Sequence, residues 1–244
     1  MRSPSRGGPV RDLLLSSEQI GESRLLPTAA ILGAASLYAT LPHKFIAGPS
    51  SGAFSVARLV VPALTVVLLA ALLVSVPHGR VVRALGLHAQ RVRVGRRVVA
   101  FAVTAVVSAA NGAAIVLLVH LLLSGAQTVA SALLRASIHM WCVNVLVFAL
   151  WFWELDNGGP AMRSTAGPES RDFLFPQQAI AETYPGWKPK FLDYLYLSFT
   201  NATAFSPTDT MPLSRWAKML MLVESAASLL LAIMVAARAV NILK

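Results

Sequence analysis

Long apolar runs set the limits on what this chain can fold into. A helix needs about 20 mostly apolar residues to cross the ~30 Å hydrocarbon core of a bilayer. Leu59–Val76 carries no charge, and Val98–Leu123 is long enough to cross with tilt. Val129–Trp153 follows after the short polar stretch Ser124–Thr128, and Trp216–Val240 lies near the end of the sequence. Leu25–Leu41 is the weakest candidate, being short, rich in Ala and Gly, and interrupted by Pro27. The reading is therefore all-α and polytopic, with about five transmembrane helices. Hydrophobic residues make up 56% of the 244 positions and charged residues 13%. Soluble domains average about 45–50% and about 25%, so a typical soluble globular protein and a disordered chain are both excluded.

The remaining charge is strongly basic, with 21 Lys and Arg against 11 Asp and Glu. Nucleic-acid binding needs such an excess on one solvated face. Here the basic residues sit between apolar runs, as in the loops of a membrane protein, so no nucleic-acid partner is expected. Cys142 is the single cysteine, which excludes an intrachain disulfide and any cysteine-cluster metal site. His120 and His139 differ by about 10 Å in expected depth, which argues against a shared metal. Asn111 and His139 lie closer in depth and are placed to hydrogen-bond across the hairpin; Asn144 reads as a similar packing polar group. No P-loop, GxGxxG, HExxH or GxSxG motif is present. No catalytic residue, metal or cofactor is assigned, and the chain is not expected to be an enzyme.

Four regions follow. Residues 1–24 form a polar N-terminal segment expected to be mobile. Its Leu13–Leu15 is too short for the apolar region of a signal peptide. Residues 25–153 form a four-helix membrane region with a basic loop at 77–97 that carries Arg80, Arg83, Arg91, Arg93, Arg96 and Arg97. Residues 154–190 are a surface loop rich in Gly, Pro and aromatic side chains. Trp151 and Trp153 before it and Trp216 after it mark one bilayer face, since Trp favours the membrane–water interface. Residues 191–244 hold a short helix at about 191–202, a hydroxyl-rich turn and the last span. Thr208, Asp209 and Thr210 offer N-cap chemistry, and Pro212 suits a first helical turn. Short helix, polar turn and long helix together describe a re-entrant hairpin. Its irregular backbone needs protein or a watery cavity to satisfy it at membrane depth.

Asp193-x-Leu-Tyr-x-Ser-Phe-Thr200, Thr203, Asp209-x-x-Pro212-x-x-Arg215, Leu222-x-Glu224 and Ala237-Arg238 carry a resemblance. This pattern resembles the pore helix, filter and inner helix of tetrameric potassium channels. It is more closely similar to an uncharacterised family of bacterial integral membrane proteins, a domain of unknown function with a comparable Tyr–x–Ser–Phe–Thr segment. The resemblance implies a multi-pass protein of the bacterial inner (plasma) membrane. Its partners would be the lipid bilayer, monovalent cations if it conducts, and copies of itself, four if it is channel-like. The pore- and filter-like positions are then Thr200, Asn201, Thr203, Ser206, Thr208 and Asp209. The filter itself departs from the channels. Potassium filters use glycines to turn carbonyls inward, whereas Thr203-Ala204-Phe205-Ser206-Pro207 has none. Potassium selectivity is not implied. A degenerate pore hairpin passing cations and a non-conducting structural or accessory subunit both stay open.

Glu224 is an intramembrane carboxylate about two turns into the last span. Such a group is costly in a bilayer unless paired or wetted, which makes it the main functional candidate. It shares a four-residue stripe with Ser228, Ala232 and Ala236, small residues that favour close helix packing. A structural Glu224 would bond to the back of the turn, at Thr200 or Thr203; a functional one would hold an ion or proton. Orientation raises a conflict. The positive-inside rule puts residues 1–24 and 77–97 in the cytoplasm. Residues 154–190 then lie there too, opposite to the face from which a potassium-channel pore enters. The charge count favours the cytoplasmic placement.

Overall fold

The computed structural model describes residues 25–40, 89–123, 130–163, 167–203 and 209–242. Leu59–Val76, the N-terminal segment 1–24, Ser206 and Thr208 lie outside the described residues. The described chain is mostly helical. In order it forms α1 (Leu25–Ala39), α2 (Ala89–Leu123), α3 (Ala130–Leu155), a 3-10 turn (Asp156–Gly158) and α4 (Pro160–Arg163). A second 3-10 turn (Pro168–Ser170), β1 (Phe173–Leu174) and α5 (Pro176–Ala179) follow, then α6 (Phe191–Thr203), β2 (Met211–Pro212) and α7 (Arg215–Ile242).

Three helices are long and apolar enough to cross a membrane, with windows at Arg97–His120, Leu134–Gly158 and Arg215–Ala236. They lie in α2, α3 and α7, so the chain has the makings of a membrane protein. Helix α1 is apolar but only 15 residues long, or about 22 Å. Helix α2 begins at Ala89, so residues 89–97 of the expected basic loop are helical. Nothing in Ala-Gln-Arg-Val-Arg-Val-Gly-Arg-Arg breaks a helix except Gly95, which Gly can occupy at modest cost. The last span starts differently from expectation as well. Pro212 lies in β2, paired with Phe173, and Ser214 caps α7 through Ala217 N–H to Ser214 Oγ at 3.3 Å.

Helix α3 is central and touches α1, α2, α6 and α7. Its second half is buried on nearly every side: Val143, Asn144, Val145, Val147, Phe148, Ala149, Leu150, Phe152 and Trp153. That explains its apolar character all round, which is the pattern of a core helix. One packing cluster joins Phe152, Trp153, Phe173, Phe175, Phe191, Tyr194 and Leu197 at the end where α3 finishes and α6 begins. A second, built on Leu118, Met140 and Leu231, lies toward the opposite end. Helix α7 is mostly exposed, showing Leu222, Val223, Leu229, Leu230 and Ile233 to the surroundings. In water such an apolar face is a liability; hydrocarbon or another apolar surface is what it suits.

Candidate functional site

Helix α6 follows α3 along its length. Trp153 meets Phe191 edge-on, with ring centroids 6.0 Å apart. Two turns further into α6, the Ser198 hydroxyl donates to Val145 O at 2.7 Å. Helix α7 closes the third side and brings Glu224 onto the same spot. Glu224 and Ser198 are both 0% exposed. Glu224 Oε1 pairs with the Ser198 hydroxyl, and Oε2 accepts from Asn201 Nδ2 at 2.6 Å. The second N–H of Asn201 donates to Met221 O at 3.0 Å. Asn201 Oδ1 accepts from Ser225 Oγ at 3.0 Å. The polar layer continues through α7 to the middle helices. Asn144 Nδ2 donates to Ser228 Oγ at 3.0 Å, and Asn111 Nδ2 reaches Asn144 Oδ1 at 3.4 Å. Four helices are thus tied at one depth by amide, hydroxyl and carboxyl groups.

This arrangement changes several expected pairings. Glu224 binds Ser198 and Asn201, not Thr200 or Thr203. Those threonines spend their hydroxyls on their own helix: Thr200 Oγ1 on Tyr196 O at 2.9 Å and Thr203 Oγ1 on Thr200 O at 2.9 Å. Asn111 pairs with Asn144, while His139 Nδ1 lies 2.6 Å from Arg135 O on its own helix. The buried edge of α7 runs through Ala217, Glu224, Ser228, Leu231 and Met234. Ala232 and Ala236 are exposed in the monomer. A helix of 3.6 residues per turn carries a strict four-residue stripe away from the contact line. Asp209 is exposed, and Thr210 beside it is buried.

A second polar cluster holds the loop against the helix ends, and its Asp156, Arg163 and Asp172 were not singled out from the sequence. Asp156 Oδ1 accepts from the backbone N–H of Asp172 at 3.1 Å and of Phe173 at 3.3 Å. Its Oδ2 accepts the Tyr194 hydroxyl and lies 3.7 Å from Arg163 Nε. Arg163 also donates to Trp153 O, and its guanidinium lies over the Tyr194 ring, 4.8 Å from the centroid. Asp172 returns the link to α7, accepting from Trp216 Nε1 at 2.7 Å. Its other oxygen takes the Asn157 N–H at 3.1 Å. The chain enters this cluster through Asn157, Gly158 and Gly159, with φ of 56°, 75° and 93°. At Gly159 a Cβ would stand 2.8 Å from Glu154 O. The Asp-Asn-Gly-Gly-Pro string was the available signal, since Gly and Asn mark left-handed backbone.

Among the described residues, no group of three or more His, Cys, Asp or Glu is placed to hold a metal. Comparison with protein-family models, curated proteins and solved structures gives no match. The class defined by the fold is a helical protein with three candidate membrane spans.

Proposed function

We propose that this chain is a five-span protein of the bacterial inner membrane whose C-terminal segment is a re-entrant hairpin used for packing. In this reading it is a non-conducting structural or accessory subunit. The resemblance to channel pore hairpins is kept as architecture, without the conduction.

The order of contacts supports the topology. Arg97, Gly158 and Arg215 bound the three apolar windows, and Arg97, Leu155 and Trp216 around one groove bring those ends together. Pro27 and Thr28 of α1 lie beside Trp153 and Glu154 at that same end. Helices α1 and α2 both lead inward from it, and the five-span reading assigns a crossing back between them. Leu59–Val76 is the apolar run available for that crossing. Helix α6 also starts at this end, beside Trp153. It stops at Thr203, two residues after Asn201, which bonds Ser225 near the middle of the α7 window. Strand β2 then pairs with β1 in the loop at the original end. A chain that goes halfway in and returns is a re-entrant hairpin.

One observation carries the functional reading: Glu224 is fully enclosed, with both carboxyl oxygens engaged by Ser198 and Asn201. A cation ligand needs a lone pair facing a path, whereas this carboxyl is closed in by the Ser198 hydroxyl and the Asn201 amide, both part of the fold. Reconstituted into liposomes, well-assembled protein is expected to pass no Na⁺, K⁺, H⁺ or Cl⁻. A wild-type flux that Glu224→Gln abolishes while leaving assembly intact would overturn the proposal and restore conduction.

A further inference from the structure

A groove of about 680 Å³ opens between the starts of α2 and α7. It is lined by Arg97, Leu155, Trp216, Met219, Leu220 and Val223. The size lies within the ~300–1,000 Å³ of small-molecule sites. Its lining is apolar except at one end, where Arg97 stands. Arg97 Nε is buried and has no hydrogen-bond partner among the described residues. Its guanidinium carbon sits 5.2 Å from the Phe101 ring centroid, which steers the planar group along the helix surface. A buried donor left without an acceptor is uncommon, and its usual explanation is a missing water or ion.

Position and charge narrow the ligand. Arg97 and Arg215 both open apolar windows, and Leu155 lies near the close of the third. The mouth of the groove is therefore at the membrane–water boundary and its floor at hydrocarbon depth. Arg215 and Lys218 are exposed on the first turn of α7. Of the acids near this end, Asp172 accepts from Trp216 and the Asn157 N–H, Asp156 accepts from Tyr194 and lies beside Arg163, and Glu154 is buried against α1 and α2. Arg97, Arg215 and Lys218 are the basic groups at the mouth. Met219 and Val223, each 56% exposed, extend the apolar wall inward. Basic pockets between membrane helices, backed by apolar walls, hold lipid head groups. Guanidinium is the side chain best matched to a phosphate oxygen pair.

We propose that this groove binds one anionic phospholipid, its phosphodiester on Arg97 and one acyl chain along Leu155, Met219 and Val223. The inference rests on the membrane reading and is independent of whether the chain conducts. The test uses the full-length protein in nanodiscs of phosphatidylglycerol or phosphatidylcholine, with retained lipid counted by native mass spectrometry. Wild type is expected to retain phosphatidylglycerol over phosphatidylcholine. Arg97→Gln is expected to weaken that retention about tenfold, equivalent to ~1.4 kcal/mol. Val223→Trp, which fills the groove from an exposed position, is expected to do the same, and it decides the matter if Arg97→Gln fails to assemble. Equal retention of the two lipids, or retention unchanged in assembled Arg97→Gln or in Val223→Trp, overturns the proposal. Displacement of the lipid by millimolar inorganic phosphate overturns it in favour of a free-anion site. High-yield cross-linking of Val223→Cys, in a Cys142→Ser background, to cysteines placed at 59–76 or to a second copy overturns it in favour of a protein occupant. Ion flux is measured separately, so a failure of the non-conducting reading is not confused with a failure here.

Discussion

Glutamine at position 224 offers the same valences that the neighbours of Glu224 require. Its carbonyl oxygen accepts from Asn201 Nδ2, and its N–H donates to Ser198 Oγ, leaving the single serine hydrogen for Val145 O. Leucine offers neither, and leaves Asn201 and Ser198 facing an apolar chain. Orphaning a buried donor costs about 1–3 kcal/mol in soluble proteins. Interhelical hydrogen bonds in membranes average nearer ~0.6 kcal/mol. Glu224→Gln is therefore expected to match wild type in detergent melting temperature and monodispersity. Glu224→Leu is expected to melt lower, by an amount corresponding to ~1–2 kcal/mol. Equal melting of the two variants would show that the carboxyl bonds contribute nothing. At the loop, Tyr194→Phe keeps the ring under Arg163 but removes the hydroxyl that Asp156 accepts, for a loss of about 1 kcal/mol. Asp156→Ala removes the acceptor for two backbone N–H groups and the Tyr194 hydroxyl, and takes away a buried carboxylate beside Arg163. Breaking a buried charge pair costs about 3–5 kcal/mol. Limited proteolysis in residues 164–186 should therefore rise sharply in Asp156→Ala and little in Tyr194→Phe.

At the scale of elements, legibility followed the kind of signal. Long apolar runs identify α2, α3 and α7 because span length is a property of contiguous residues. Helix α6 is readable for a related reason: Phe191-Leu192-x-Tyr194-Leu195-x-Leu197 keeps a helical apolar face next to a polar turn. The partners of Glu224 were harder to read. Choosing Ser198 over Thr200 needs the rotation of α6 about its axis, which depends on α3 on one side and α7 on the other. The Asp156 cluster was harder still. Its acids sit in a Gly- and Pro-rich stretch that reads as a solvated loop, and their partners at Tyr194 and Trp216 are distant in sequence. What the local sequence does contain is the left-handed string at Asn157–Gly159, which aims the chain back over the helix ends. Gly159 tests that role. With φ of 93° and Glu154 O in the path of a Cβ, Gly159→Ala is expected to cost more than ~1 kcal/mol and to free the loop. Gly112, inside α2 with no atom within 4 Å of a Cβ, should accept alanine with no loss of melting temperature. Indistinguishable melting of the two variants would refute a turn-specific role for Gly159.

For the whole molecule, the open question is which face of the membrane carries the loop cluster. The ends of α2, α3 and α7 place residues near 90 and residues near 182 at the same side, because Arg97, Leu155 and Trp216, at the ends of the three apolar windows, surround one groove. Arg91, Arg93, Arg96 and Arg97 stand at that side, in or just outside the α2 window. Arg-dense short segments resist translocation, so this side is expected to be cytoplasmic. In the proposed topology the hairpin of α6 and α7 would then enter from the cytoplasm, opposite to a potassium-channel pore. Single cysteines at Gln90 and Glu182, in a Cys142→Ser background, separate the possibilities. Both should resist an impermeant maleimide applied to intact spheroplasts, and both should react once the membrane is opened. Reaction of both from outside would invert the protein, and would put the hairpin in the orientation that an outward-facing pore requires. Reaction of one only would mean that the two positions lie on different faces. The common end of the three windows, and with it the hairpin topology, would then be wrong. The paired experiment is informative because the two positions are linked by geometry alone: α2 and α3 run antiparallel, and any even number of crossings between 90 and 182 returns the chain to the face it left.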